Sequence, residues 1–262
     1  MKVEEVLHIL ESCVAPVSLS DEFCATYKMY DNSGIIINCG GEVTGVLFSL
    51  DLSIEVVNRA IERGYNLIVT HHPAIYGGIS RIDITRDPKS IAIHNCIKNG
   101  ISVISMHLNF DAAPQGIDYH LMCGLGGKNC KVCAPVSGGG YGRVYEVQPQ
   151  PLKEFLDRVS AEFKTHRAVY HGDENIIVSK IGSFCGAGFD DTNMNFTIDN
   201  NCNLFVSSDL KHHEITELVE RGIGVLELTH YSAESYGFNN IYENIKQSIK
   251  MPSSYFYDER FA

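Results

Sequence analysis

Two adjacent histidines, His71 and His72, follow the apolar run YNLIVT and are themselves followed by Pro73. The β-branched and aliphatic residues of the run predict a buried strand, on which consecutive side chains point to opposite faces. Both imidazoles can reach one centre only if the strand ends there and the chain bends, which Pro73 and the pair Gly77-Gly78 permit. Because imidazole is a common metal ligand and open α/β sheets bind ligands at strand ends, the pattern indicates a metal site.

Three other stretches place metal-binding residue types after a predicted strand. In ISVISMHLNFDAAPQGID, the side chains of His107, Asn109 and Asp111 would share one face if the strand continued. After the strand IGVLEL, His230 and Glu234 would share the first turn of a helix. The third stretch opens a helix with Asp209, His212, His213 and Glu214. Each stretch alone fits a turn cap or a helical side-chain pair, but their recurrence at strand ends favours a common metal site.

The elements that must position these residues alternate between strands and helices along both halves of the chain, which predicts an α/β fold. A glycine-rich stretch from about residue 113 to 141 separates the halves. We expect an N-terminal α/β half at residues 1–125 with part of the metal site, and a C-terminal α/β half at residues 126–262 that completes it. The similar strand–helix rhythm of the halves suggests a duplicated architecture, although no sequence repeat is evident.

Composition excludes several classes of function. The 262 residues include 32 Asp and Glu against 21 Lys and Arg, a formal charge of −11, which argues against binding of nucleic acids or anionic membranes. No stretch approaches the roughly 18–20 consecutive apolar residues of a transmembrane helix. The opening MKVEEVLHILESCV has the pattern of an amphipathic helix and not that of a signal or transit peptide. A cytoplasmic location is therefore expected.

The nine cysteines are an odd number and many lie inside apolar runs, which is typical of free thiols in a reducing compartment. Only Cys130 and Cys133 have a spacing found in metal-binding or redox pairs. Pro135 and the run SGGG follow where a redox pair would be expected to begin a helix. The role of this pair is open between free thiols and a metal or redox function.

Four blocks of the chain resemble, in order, the signature blocks of the Nif-three-like family, whose members are also called GTP cyclohydrolase type-two homologues or dinuclear metal-centre proteins. The blocks are LDLSIEVVNRAIERGYNLIVTHHPAIYGGI, MHLNFDAAPQGID, GRVYEV and SDLKHHEITELVERGIGVLELTHYSAE. The resemblance runs from about Asp31 to Glu234 and is to the short form of the family, without an inserted domain. It implies two similar α/β halves with mixed sheets flanked by helices, a metal site in the cleft between them, and toroidal homohexamers.

The resemblance implies a site for two divalent metal ions per chain. His71 and His230 would bind one ion, His72 and Asp111 would bind the other, and Glu234 would bridge both. Three imidazoles and two carboxylates suit Zn, Fe, Mn, Co or Ni and exclude none of them.

Two further histidines, His107 and His213, fall in the matching blocks, and the resemblance implies that they transfer protons or support the ligands and the substrate. The chain departs from the family pattern at Thr229, where members usually have glycine, and after the DAAP block, where only Asp118 of the usual Asn-Asp is retained. These departures concern the substrate pocket and leave the five ligands in place.

The resemblance implies a metal-dependent hydrolase that acts on a nucleotide-like or phosphate-bearing small molecule, since two neighbouring ions can activate water and stabilise both oxygens of a displacement. A small anionic or nucleotide-like ligand is therefore the expected partner. Neither a P-loop nor a Rossmann glycine pattern is present to define a nucleotide pocket. Two alternatives use the same ligands without turnover: a metal (iron) chaperone or regulatory scaffold, and a site that only stiffens the fold.

Overall fold

The computed structural model describes all 262 residues, Met1–Ala262. In chain order the elements are α1 (Val3–Cys13), α2 (Val17–Tyr27), β1 (Gly34–Ile37), β2 (Val46–Ser49), α3 (Ile54–Arg63), β3 (Leu67–Thr70), α4 (Pro88–Lys98), β4 (Ser102–Ser105), α5 (Leu108–Asp111), α6 (Ile117–Gly124), β5 (Cys130–Val136), β6 (Gly139–Pro151), α7 (Leu152–Glu162), β7 (Val169–His171), β8 (Ile177–Ser183), α8 (Asp191–Asp199), β9 (Leu204–Ser207), α9 (His212–Glu220), β10 (Gly224–Glu227), α10 (His230–Ile245) and β11 (Ser253–Tyr255). None of the helices combines the length and the apolar character that crossing a bilayer requires.

The chain divides into two compact units, of which the first comprises Met1–Ala113 and Phe238–Tyr257. Its five-stranded sheet has the order β1-β4-β3-β2-β11. Strands β4, β3, β2 and β11 are parallel, whereas β1 pairs antiparallel with β4 at one edge. Every residue of β2, β3 and β4 is buried, as expected for central parallel strands with both faces covered.

Helix α3 of this unit has residues typical of helix caps at both ends. The hydroxyl of Ser53 caps the first turn by accepting a hydrogen bond from the N–H of Val56, and Gly64 ends the helix in the left-handed conformation. The buried face of α3 packs into a hydrophobic cluster that includes sheet residues. The cluster members from the helix and the sheet include Val56, Val57, Ala60, Leu47, Ile68 and Val103.

The second unit comprises Pro114–Gly237 and Asp258–Ala262. Its six-stranded sheet has the order β5-β6-β8-β9-β10-β7. Strands β8, β9 and β10 are parallel, and the remaining pairings are antiparallel. Each unit therefore has a mixed sheet accompanied by helices, which confirms the predicted fold class.

The compact units differ in extent from the predicted halves 1–125 and 126–262. The first unit includes residues 238–257, and the second begins at Pro114, inside the glycine-rich stretch. That stretch is also more regular than its composition indicates, since it contains α6 and β5. Helix α10 has residues in both units, because the division falls between Gly237 and Phe238.

Strand β4 ends at Ser105, so His107, Asn109 and Asp111 do not alternate along a continued strand. The chain instead turns into the short helix α5, because the carbonyl of His107 accepts hydrogen bonds from the N–H groups of Phe110 and Asp111. Phe110 is fully buried, and the amide of Asn109 donates to the carbonyl of Ala15. Tertiary packing of this turn therefore overrides the strand-like pattern that precedes it.

All nine cysteines are free thiols in the structure. Cys130 and Cys133 both lie on β5, where residues three apart point to opposite faces. The spacing of this pair therefore does not bring both thiols to one ion.

A buried ion pair ties together three elements of the second unit. The carboxylate of Asp118 on α6 is fully buried and pairs with the guanidinium of Arg143 on β6. It also accepts hydrogen bonds from the N–H groups of Gly142, at 3.0 Å, and Cys185, at 3.1 Å. Burial raises the pKa of Asp118, and the charge of Arg143 and the hydrogen bonds oppose that rise. The pair thus fixes the loop that leaves β8.

We expect Arg143→Met to lower the free energy of unfolding by about 3–5 kcal/mol, because it leaves a buried carboxylate without its counter-charge. The double variant Asp118→Leu/Arg143→Met removes both charges and should recover most of that loss. Urea denaturation of the wild type and of both variants measures the difference. A single variant as stable as the wild type would contradict this account of the pair.

Candidate metal centre

His71 and His72 follow the last residue of β3. The backbone conformation at these two residues explains how adjacent side chains can face one centre. The N–H groups of both residues donate to the same acceptor, the carbonyl of Leu50, at 3.1 and 3.0 Å. In a continuing strand, successive N–H groups point to opposite sides, so this shared acceptor marks the bend. The two imidazole centroids consequently lie 4.9 Å apart, with the ring planes at 47°.

Side chains of the neighbouring strands fix the bend. The hydroxyl of Thr70, the last residue of β3, donates to the carbonyl of His72 at 2.8 Å. The hydroxyl of Ser105, at the end of β4, donates to the same carbonyl at 3.3 Å and lies 2.8 Å from the Thr70 hydroxyl. Thr70 and Ser105 are fully buried, so these bonds are shielded from water.

His107 and Asp111 join the paired histidines from the turn after β4. The ring centroid of His107 lies 5.0 Å from that of His71 and 5.7 Å from that of His72. The Nε2 atom of His71 is 3.4 Å from Oδ1 of Asp111. One nitrogen from each of the three histidines lies within 4.8 Å of the others, close enough to hold one ion. We call His71, His72, His107 and Asp111 the first-unit cluster.

In the first-unit cluster, each imidazole is held through its Nδ1 atom. Nδ1 of His71 lies 2.9 Å from the carbonyl oxygen of Met106, which can only accept, so Nδ1 carries the proton. Nδ1 of His72 is 2.7 Å from Oδ1 of Asp51. Nδ1 of His107 is 2.7 Å from Oδ1 of Asp31.

This arrangement leaves the Nε2 atom of each ring as the ligating atom. Metal-binding histidines characteristically donate their other N–H to a carboxylate or carbonyl, which fixes the tautomer and the ring orientation. The three acceptors occupy corresponding places in the sheet, since Asp51 follows β2, Met106 follows β4 and Asp31 precedes the adjacent edge strand β1.

The Asp31–His107 pair is electrostatically coupled. Burial works to lower the pKa of His107, but the hydrogen bond to Asp31 and the charges of Asp111 and Asp31 raise it above its ordinary value. Burial correspondingly works to raise the pKa of Asp31, yet hydrogen bonds from His107, Ser20 and Ser33 hold it well below its usual range. These hydrogen bonds therefore favour the negatively charged form of Asp31 beside the cluster.

The second unit contributes a smaller group, His230, Glu234 and Asp209. Helix α10 begins at His230, as predicted, so Glu234 lies one turn later on the same face. Nε2 of His230 is 2.9 Å from Oε2 of Glu234, and Nδ1 is 2.6 Å from Oδ2 of Asp209. His230 is thus held through Nδ1 in the same way as the first-unit imidazoles. Asp209 follows β9 with φ at 55°, a left-handed conformation that aspartate tolerates better than most residues.

Gly186, in the loop after β8, leaves the space that the carboxylate of Glu234 occupies. A Cβ atom on Gly186 would lie 2.5 Å from Oε1 of Glu234 and 3.5 Å from Nε2 of His230. The carbonyl of Gly186 accepts hydrogen bonds from the hydroxyl of Ser207 and the N–H of Ser208, which hold the loop against the end of β9. The absence of a side chain at Gly186 therefore leaves room for a carboxylate in the first turns of α10.

His213 lies exposed in the first turn of α9 and belongs to no group of three metal-binding side chains. Its predicted role remains a prediction. Three residues that support the candidate ligands, Asp31, Asp51 and Gly186, were not singled out from the sequence. A lone carboxylate two residues after a buried strand, as in SLDLS, is the signal that could have found Asp51.

Comparison with known proteins gives the family and two relatives of nearly full length. The sequence model of Duf34/NIF3 (NGG1p interacting factor 3) matches residues 1–257. A Clostridium acetobutylicum protein named GTP cyclohydrolase 1 type 2 homolog is 31% identical over 242 residues, covering 89% of this chain and 85% of its own. A protein of the same name from Clostridium perfringens is 29% identical over 259 residues, covering 95% of this chain and 93% of its own.

The fold is shared with solved structures at lower sequence identity. The crystal structure of a hypothetical protein from Staphylococcus aureus superposes with a TM-score of 0.83 at 24% identity and covers 100% of this chain and 99% of that one. This likeness establishes the fold and carries no information on activity.

We expect Gly186→Ala to displace the carboxylate of Glu234 and to lower the amount of metal that the purified protein holds. Gly222→Ala is the matched control, because Gly222 also has positive φ, at 78°, but nothing lies within 4 Å of its added Cβ. Both variants carry the backbone strain of about 1–2 kcal/mol, and only the first carries the clash. Elemental analysis and thermal unfolding separate the two effects. Equal metal loss in both variants would refute the clash.

Proposed function

The chain belongs to the Duf34/NIF3 family, and from that premise we propose that it binds two divalent metal ions and uses them to hydrolyse a nucleotide-like or phosphate-bearing small molecule. The observation that carries the metal site is the state of the three ligand imidazoles, since each is held through Nδ1 by a carboxylate or carbonyl oxygen. That arrangement presents Nε2 atoms as ligands and is characteristic of metal-binding histidines. The proposed ligands are His71, His72, Asp111, His230 and Glu234.

Helix α10 carries Glu234, the proposed bridging ligand. Phe238 belongs to the first unit, and its ring centroid lies 5.9 Å from that of His71. Glu234 precedes Phe238 by four residues on the same unbroken helix, and residues four apart share a helix face. The family resemblance implies that Glu234 bridges both ions, and that role is part of the proposal.

The separation of 3.4 Å between His71 Nε2 and Asp111 Oδ1 favours these two residues as ligands of the same ion. Under this assignment His72 and His230 hold the second ion. The assignment exchanges the partners of Asp111 and His230 relative to those that the family resemblance implies. The donor set suits Zn, Fe, Mn, Co or Ni equally.

Burial of the ligands favours metal ions that stay bound over metal ions that the protein would deliver elsewhere. His71, Asp111 and Glu234 are almost completely buried, which disfavours rapid exchange of an ion that they hold. His72 and His230 are partly exposed, at 24% and 32%, so a small molecule can approach the ions from their side. This asymmetry supports catalysis over the alternative of a metal chaperone.

When bound, two neighbouring ions lower the pKa of bound water and stabilise the attacking and leaving oxygens of a displacement. The side chains of the protein would orient the reactants and transfer protons next to the ions. His107 is proposed for proton transfer or for support of the ligands, because Asp31 fixes its ring beside His71 and His72. His213 keeps the same proposed role only through the family resemblance.

A homohexamer, which the resemblance implies, is proposed for the assembly. The loop between β3 and α4 supports it, because three isoleucines there are roughly half exposed, and exposed apolar clusters commonly mark protein interfaces. They are Ile79, Ile82 and Ile84.

Elemental analysis of protein purified without added metal tests the site first. About two ions per chain are expected, as in other two-metal sites. Glu234→Ala should lose both ions because it removes the bridging carboxylate, whereas Asp111→Ala should mainly lose one. Glu217→Ala is the control, since this carboxylate pairs with Arg221 on the surface of α9. Two ions retained by Glu234→Ala would refute the bridge.

Turnover separates hydrolase from chaperone. The metal-loaded protein should hydrolyse a member of a panel of nucleotides and phosphate esters, and Glu234→Ala should not. Rapid release of the ions to a chelator, with no hydrolysis across the panel, would instead support the metal chaperone.

Asp51→Asn and Asp209→Asn should each weaken metal binding by about 10- to 100-fold, because each removes the negative charge that holds Nδ1–H of a ligand histidine. The amide keeps the size of the carboxylate, so the fold should be unaffected. Competition with a coloured chelator measures the affinity. Wild-type affinity in both variants would show that the aspartates do not tune the ligands.

A further inference from the structure

Tyr76 stands beside the first-unit cluster in a fixed orientation. Its hydroxyl donates to the backbone carbonyl of Tyr30 at 2.6 Å. Its ring is perpendicular to that of Tyr30, with centroids 5.1 Å apart, and perpendicular to that of His107, with centroids 6.5 Å apart. Three contacts therefore hold the ring of Tyr76 beside His107.

The same two tyrosines are unusually open to solvent. Tyr76 is 49% exposed and Tyr30 is 51% exposed. An exposed aromatic ring that is already fixed in position loses little conformational entropy when it is covered, so it provides binding surface at low cost. We call Tyr30 and Tyr76 the aromatic rim.

We propose that the aromatic rim is the stacking surface for a planar heteroaromatic ring of the ligand, whose polar end reaches the metal centre. The inference rests on the proposed function and narrows its ligand to a molecule with a nucleobase-like ring. Tyr76 remains half exposed beside its edge-to-face contacts with Tyr30 and His107, and a further aromatic ring can pair with it in an offset-stacked arrangement.

The charged side chains bonded to the imidazoles beside the aromatic rim are carboxylates. The neighbouring carboxylates Asp31 and Asp51 are bonded to His107 and His72, so the chain presents negative side chains around the imidazoles. The metal ions, when bound, would supply positive charge for a phosphate group. Stacking on the aromatic rim is thus the way in which the polypeptide would bind the rest of the ligand.

Calorimetric titration of the metal-loaded protein with adenosine 5′-monophosphate and with ribose 5-phosphate tests the inference, because the two probes share the phosphate and the sugar. The wild type should bind the nucleotide more tightly. Tyr76→Ala should weaken nucleotide binding by roughly 5- to 100-fold, the range for loss of one aromatic stacking partner. Tyr76→Phe keeps the ring and should retain most of the difference between the probes.

Metal content and the binding of ribose 5-phosphate should be unchanged in both variants. Ile97→Ala is the control for loss of an exposed apolar side chain, because Ile97 is 57% exposed on α4. Equal binding of the two probes to the metal-loaded wild type, or equal weakening of both by Tyr76→Ala, would overturn the stacking role. So would a change in sedimentation of Tyr76→Ala without a change in nucleotide affinity, which would assign the rim to a subunit interface. A wild type that binds no metal would overturn the proposed function itself.

Discussion

The carbonyl of Leu50 accepts hydrogen bonds from the N–H groups of both His71 and His72, and the candidate centre depends on that shared acceptor. A strand that continued through these residues would send the two imidazoles to opposite faces of the sheet. The bend interrupts the regular strand pairing at the end of β3. The hydroxyls of Thr70 and Ser105 compensate, because both donate hydrogen bonds to the carbonyl of His72. Once both rings lie on one side, the turn after β4 can bring His107 and Asp111 to them.

Each unit positions its candidate ligands in the same way. In the first, polar residues follow the carboxyl ends of the adjacent parallel strands β4, β3 and β2. In the second, Asp209 follows β9, His230 follows β10 and Gly186 follows β8. Parallel strands end at a common edge, so short loops from three neighbours converge without long connections. The second unit needs a glycine in one of these loops, because the carboxylate of Glu234 occupies the space beside Gly186.

The sequence predicted the α/β architecture because its buried strands are continuous apolar runs and its helices carry recognisable caps, such as Ser53 and Gly64 of α3. It also placed His230 and Glu234 on the first turn of a helix, since their spacing depends on helical periodicity alone. It could not predict where β4 ends, because the burial of Phe110 and the bond from Asn109 to Ala15 depend on distant residues. The role of Asp31 could not be predicted for the same reason, since it acts on a histidine 76 residues away in the chain.

Helix α10 restricts how the chain can change in length. Its sixteen residues run unbroken from His230 to Ile245, with Glu234 one turn before Phe238, whose ring packs near His71, Phe48 and Phe110. One residue inserted between Glu234 and Phe238 would rotate the carboxylate by about 100° about the helix axis while the phenylalanine stayed in its core. The register of α10 therefore sets the side of the helix from which the Glu234 carboxylate projects, and an insertion in this segment would change that side even if the helix itself persisted.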